Sequence, residues 1–138
     1  VTDRAEGFRF VFASDVQGPF SQVALAYLIR ERPHLLYLSG PPSYLQSQIG
    51  AKTLERGITN LLTIIDKTGC RVIMDHHALR DLHHEERLAS LWETGKVVSA
   101  AGHLGIPNQL LESRRNFLWA KKRGGDAVEK RRGLGYSE

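Results

Sequence analysis

The sequence has almost nothing with which to cross-link itself. Cys70 is its single cysteine, so no internal disulfide can form and a zinc site built from several thiolates is excluded. No apolar run approaches the ~20 residues that a membrane-spanning helix needs, and no secretory leader pattern is recognisable. A cytoplasmic protein with no membrane partner is the simplest expectation. The chain also has little lead-in: it opens at Val1 and reaches the apolar run FRFVFA at Phe8. A start so close to a core strand is expected of a piece of a longer domain. No internal repeat is present.

What is there suffices for one packed unit. The chain has 138 residues, 41 % of them hydrophobic, a balance typical of a globular domain rather than a disordered one. The net charge of +4 is unevenly spread. Arg114, Arg115, Lys121, Lys122, Arg123, Lys130, Arg131 and Arg132 crowd the C-terminal end, with only Asp126 and Glu129 among them. After Arg123 the composition turns to glycine and charge, so residues 124–138 are expected to form a disordered basic tail behind a domain over 1–123. Such a tail can solubilise the protein or contact nucleic acid.

Apolar periodicity alternates between two kinds of element. FRFVFA (Phe8–Ala13), LLYL (Leu35–Leu38), RVIM (Arg71–Met74) and KVVS (Lys96–Ser99) are short, apolar and β-branched, as buried strands are. Between them, Ser21 can cap a helix over Gln22–Arg30 that Pro33 ends. Leu54, Ile58, Leu61, Leu62 and Ile65 recur at helical spacing up to Gly69. A helix is expected over Asp81–Trp92 with Leu82, Leu88, Leu91 and Trp92 on its apolar side, and a last one from Pro107 to about Lys121. Strand–helix alternation of this kind gives an α/β fold with a largely parallel sheet.

In such sheets functional residues gather in loops at the carboxyl ends of strands. Three of these loops carry chemistry. Asp15 follows the first strand in SDVQGP, either as a cation ligand or as an ordinary turn aspartate. Gly40-Pro41-Pro42 follows the second; it lacks two N–H donors, so it makes a poor phosphate cradle and a better stiff wall that positions Ser43 and Tyr44. Asp75-His76-His77 follows the third, where a histidine is held rigidly enough to ligate a metal. Neighbouring histidines at a strand end point in different directions, so one of the pair is expected to face a site. His77, Asp81 and His84 would share one face if helix began at His77, whereas His83, His84, Glu85 and Glu86 read as a solvated helix face. His34 and His103 read as loop polar groups, and Cys70 as buried and inert.

The blocks FVFASDVQGP, LLYLSGPPSYL and VIMDHHALRDL, in that order, together with the closing GIPNQLLESRRNFLW, resemble the C-terminal half of an uncharacterised, mainly archaeal group of metallo-β-lactamase-fold hydrolases. The resemblance covers roughly Gly7 to Trp119. DHH alone is also found in the DHH phosphoesterases, but the further aspartate motifs of those enzymes are missing. The resemblance implies half of an αββα sandwich, one sheet with its flanking helices, whose inner face should bury the other half of the domain. It implies a divalent metal cofactor, commonly zinc, with two ions in the complete protein. Asp15 matches the catalytic, metal-bridging aspartate and His76 matches the final histidine ligand best. His77 is the reserve candidate for that ligand, and Asp75 would orient a ligand from behind. A metal-activated hydroxide would attack an ester, amide or phosphodiester bond; the resemblance does not give the substrate, and the basic tail points toward a phosphorylated one or a nucleic acid. The HxHxDH motif of the family's first half is absent here, so this chain is expected to be inactive alone and to need the N-terminal half as its partner. The alternative expectation is a non-enzymatic α/β module that binds nucleic acid through the basic C-terminus.

Overall fold

The computed structural model describes residues 2–5 and 7–132, with side chains over 7–123. The tail expected over 124–138 therefore lies outside the residues whose side chains are described, and 133–138 outside the described residues altogether. The fold is α/β. Five strands, β1 (Thr2–Ala5), β2 (Phe8–Ala13), β3 (Leu35–Leu38), β4 (Arg71–Met74) and β5 (Val97–Ser99), form one sheet in the order β1-β2-β3-β4-β5. The four expected strands, β2 to β5, pair in parallel, while β1, not foreseen, lies antiparallel to β2. No helix among the described residues is long and apolar enough to cross a membrane.

The helices are α1 (Gln22–Glu31), α2 (Gln46–Ile49), α3 (Ala51–Thr68), α4 (His76–Leu79), α5 (His84–Arg87), α6 (Ala89–Trp92), α7 (Ala100–His103) and α8 (Arg115–Arg132), with a 3₁₀ turn at Ser43–Leu45 before α2. α1 starts as expected, the Ser21 hydroxyl accepting from the Ala24 N–H. α3 ends on Gly69 in the left-handed conformation that glycine tolerates best.

The strand order never reverses, so parallel crossovers of one hand keep their helices on one side of the sheet. Burial follows that geometry. Val11, Leu36, Leu38, Val72, Met74 and Val97 are buried and join Leu28, Leu61, Ile64, Leu88 and Leu91 from the helices in one core. The alternate residues of the same strands point the other way. Phe8 is 51 % and Phe12 42 % exposed, and Phe10, Leu35, Tyr37 and Val98 are only half-buried. Along β2 and β3 the result is an apolar, aromatic sheet face left part-exposed, with the Phe12 and Tyr37 rings 5.1 Å apart upon it, whereas Ile73 of β4 on the same face is buried.

The expected helix over Asp81–Trp92 is broken, and the break has a local cause. The Asp81 carboxylate accepts from the His83 N–H and pairs with Arg87 Nη1 at 2.9 Å, which favours a turn over helix continuation. The chain re-forms as α5 and α6 on either side of Leu88. This turns Leu82 outward, 56 % exposed, and buries His84, so the expected solvated face of four residues is reduced to His83, Glu85 and Glu86. The last helix begins at Arg115 rather than Pro107. Asn108 is tied to the end of β5 through the Ser99 hydroxyl at 2.6 Å; the chain is irregular through 107–110 and turns through 111–114.

Asp81 is 4 % exposed. Burial raises its pKa, but Ser43, the His83 N–H and Arg87 more than offset this and hold the carboxyl below the usual aspartate range. Its contribution to stability is therefore present above about pH 4, the unfolded value, and is lost as the pH falls through the lower folded value. Asp81→Asn is expected to cost about 1–3 kcal/mol at pH 7 and clearly less at pH 3. Denaturant midpoints at the two pH values check this; an equal gap at both would contradict it.

Candidate metal centre

The site lies at the carboxyl edge of the parallel strands and is assembled by three loops. β2 ends at Ala13 and releases Asp15 into the turn before α1. Two contacts that carry no signature in the sequence fix this turn on α3. Asn60, 5 % exposed, donates from Nδ2 to the Pro19 carbonyl at 2.6 Å. Gly57 leaves the space in which the Phe20 ring sits, since a Cβ at Gly57 would collide with that ring.

β3 ends at Leu38 and leads into Ser39-Gly40-Pro41-Pro42. β4 ends at Met74 and turns at once into α4. The two exits are stitched together by the Asp75 N–H to Leu38 carbonyl bond and the Ala78 N–H to Ser39 carbonyl bond, each 3.0 Å. The proline wall delivers Tyr44 as expected, its hydroxyl 3.4 Å from His77 Nδ1.

Asp15, His76 and His77 each offer a ligand atom, and these atoms lie within 4.8 Å of one another. The expected divergence of the two histidines is not what the geometry gives. Because α4 begins at His76, successive side chains are related by a helical step of about 100° rather than the 180° alternation of a strand. The two rings stand 4.4 Å apart between centroids. The other grouping, His77 with Asp81 and His84, is not assembled. α4 stops at Leu79, Asp81 is taken by Arg87, and His84 is buried edge-on against Trp92.

Burial, followed by the adjacent His76 and Arg80 charges, holds the His77 ring below the usual histidine range, and the Asp15 and Asp75 carboxylates only partly offset this. A neutral ring keeps a lone pair for a cation. Asp75 stands behind His76, its Oδ2 3.4 Å from His76 Nδ1. A carboxylate there favours the proton on Nδ1 and leaves Nε2 as the free donor. Asp75 in turn accepts a hydrogen bond from the Tyr37 hydroxyl. Burial, then the Asp75 bond and charge, push the Tyr37 pKa up to about 12, so it remains a neutral donor. Tyr37 was legible only as one of four strand residues; its role follows from strand alternation, which puts it on the open face beneath Asp75. A cavity of about 180 Å³ adjoins the site between Asp75, His76 and Leu79 on one side and Gln109–Glu112 on the other.

The remaining candidates are placed elsewhere. His34 is structural, its Nδ1 accepting from the Arg9 N–H at 2.9 Å as β2 passes to β3. His103 is exposed at the end of α7. Cys70 is buried, as expected, and burial raises its thiol pKa.

The aspartate and two histidines that this α/β domain gathers at the carboxyl edge of its parallel strands could hold a metal ion. The homologues of this chain are UPF0282 proteins from archaea, an uncharacterised family. It is 38 % identical over 130 residues to the UPF0282 protein of Methanocaldococcus jannaschii, covering 94 % of this chain and 42 % of that one. It is 40 % identical over 110 residues to the one from Methanopyrus kandleri, covering 78 % and 37 %. The Aeropyrum pernix protein is 37 % identical over 129 residues, 86 % of this chain and 44 % of its own. The chain thus spans about two fifths of the length of these relatives. No family model and no solved structure matches it.

Proposed function

We propose that this chain supplies part of the active site of a metal-dependent hydrolase, with Asp15, His76 and His77 holding a divalent ion. The observation that carries the reading is the convergence of three donors from two separate strand ends within 4.8 Å. Two imidazoles and a carboxylate suit zinc, and three protein ligands leave a coordination position open, as catalytic rather than structural zinc sites do. An ion held there would lower the pKa of a coordinated water and so supply a nucleophile at neutral pH.

The chain's own residues bind and orient. By the family resemblance, Asp15 would also serve a second ion if the rest of a full-length protein brought further ligands. Asp75, itself held by Tyr37, fixes the His76 ring, and Tyr44 stands behind His77. The open apolar sheet face fits the half-sandwich that the family resemblance implies. In that reading Phe8, Phe10, Phe12 and Tyr37 bury against the part of the domain that the longer relatives carry. The scissile bond is an ester, amide or phosphodiester.

The test is a substrate screen with the full-length, metal-loaded protein, covering phosphodiesters and thioesters. Turnover is expected to vanish on chelation and to return with zinc. Hydrolysis indifferent to chelator would contradict the proposal.

A second reading, nucleic-acid binding through the basic C-terminus, is supported by the exposed Lys121, Lys122 and Arg123 on α8 and by Lys122 lying 5.3 Å over the Trp119 ring. Binding that survives chelator and falls steeply with salt would favour it.

A further inference from the structure

The side of the site facing the 3₁₀ turn at Ser43–Leu45 carries a cation that the metal reading leaves unused. Arg80 follows His77 by one helical turn. Its Nη1 donates to the Tyr44 hydroxyl at 3.3 Å, and that same hydroxyl lies 3.4 Å from His77 Nδ1. One phenol therefore links the guanidinium to a candidate metal ligand. The Arg80 side chain also stacks over the Tyr44 ring, 6.0 Å from its centroid. The guanidinium is partly buried, and its Nε is shielded from solvent without a hydrogen-bond partner among the described residues. No carboxylate among them pairs with it within 4.0 Å. The neighbouring acids are engaged: Glu112 with Arg115 at 2.9 Å and Asp81 with Arg87 at 2.9 Å.

Arg80 feels the Glu112 charge but has no carboxylate in direct contact, so its guanidinium keeps donors for an anion beside the position a metal ion would take. Arginine presents N–H donors in a planar fork suited to oxyanions. We infer that Arg80 and Tyr44 form the oxyanion-binding arm of this site and that its substrate carries a phosphoryl group. Phosphate fits better than carboxylate because the arrangement offers three separate partners, the guanidinium, the phenol and the metal position, and a tetrahedral phosphate has an oxygen for each. The inference rests on the reading of Asp15, His76 and His77 as a metal centre.

The experiment titrates the full-length, zinc-loaded protein with inorganic phosphate by calorimetry, with acetate as the comparison, and measures metal content in parallel. Wild type is expected to bind phosphate more tightly than acetate. Arg80→Ala should weaken phosphate binding by about 10- to 100-fold with metal content unchanged, and Arg80→Lys should recover only part of it. Tyr44→Phe should show a smaller loss. Phosphate affinity equal in wild type and Arg80→Ala at equal metal content overturns the inference, as does acetate binding as tightly as phosphate. If wild type takes up no metal, the metal reading fails by itself. Phosphate binding by the metal-free protein that Arg80→Ala abolishes would then still support the arm, and its absence would overturn it.

Discussion

Asp15→Ala, made in the full-length protein, is expected to reduce zinc affinity by at least about 100-fold while leaving stability within about 0.5 kcal/mol of wild type. The two halves of that expectation have separate physical origins. Asp15 is exposed and takes part in no hydrogen bond or ion pair among the described residues, so the fold does not depend on its carboxylate. It nevertheless lies with His76 and His77 in a group whose ligand atoms are within 4.8 Å. The turn that carries it is anchored elsewhere, by Asn60 on Pro19 and by Phe20 over Gly57, so the mutation removes a donor without moving the loop. His76→Ala is expected to act in the same way. His77→Ala is expected to lose metal as well; full metal content in either histidine variant would remove that residue from the ligand set. Metal analysis and a thermal melt on each variant separate these outcomes.

Gly40→Ala is expected to be strongly disruptive, costing about 2–5 kcal/mol. Gly40 has φ +85°, a conformation that costs an L-residue roughly 1–2 kcal/mol. A Cβ there would also fall 2.7 Å from the Ala78 Cβ and 3.1 Å from the Met74 Sδ. Both neighbours are fully buried and cannot retreat, so overpacking adds about 1–3 kcal/mol. The clash pushes on α4, whose first residues are His76 and His77, so the damage reaches the site as well as the fold. Gly50 is a control of similar φ, +82°, and nothing lies within 4 Å of its Cβ position. Gly50→Ala should show the backbone cost alone. Equal unfolding free energies for the two variants would show that the Gly40–Ala78 contact does not matter.

Much of this architecture is written locally. FRFVFA, LLYL, RVIM and VVS form strands because each is short, apolar and bounded by turn residues, and the intervening periodicity fixes α1 and α3. Asp15 and His76 were recognisable because a polar residue directly after a buried strand is placed by that strand. What escaped depends on contacts between distant segments. The Asp81–Arg87 pair splits an amphipathic helix, and nothing in the pattern LHHEERL announces that His84 would turn inward. Tyr37 looks like one more strand residue until alternation sets it under Asp75. Asn60 and Gly57 lie within an ordinary helical repeat, and only the packing of the SDVQGPF turn against them gives them a role. Arg80 reads as a surface charge until the Tyr44 hydroxyl is found between it and His77.

The most direct measurement is metal content per chain in the purified full-length protein, wild type against Asp15→Ala. One or two divalent ions per chain in wild type, lost in the folded variant, is the result expected here. A wild-type protein that stays metal-free after zinc loading, or a variant that keeps its full complement, would contradict the account.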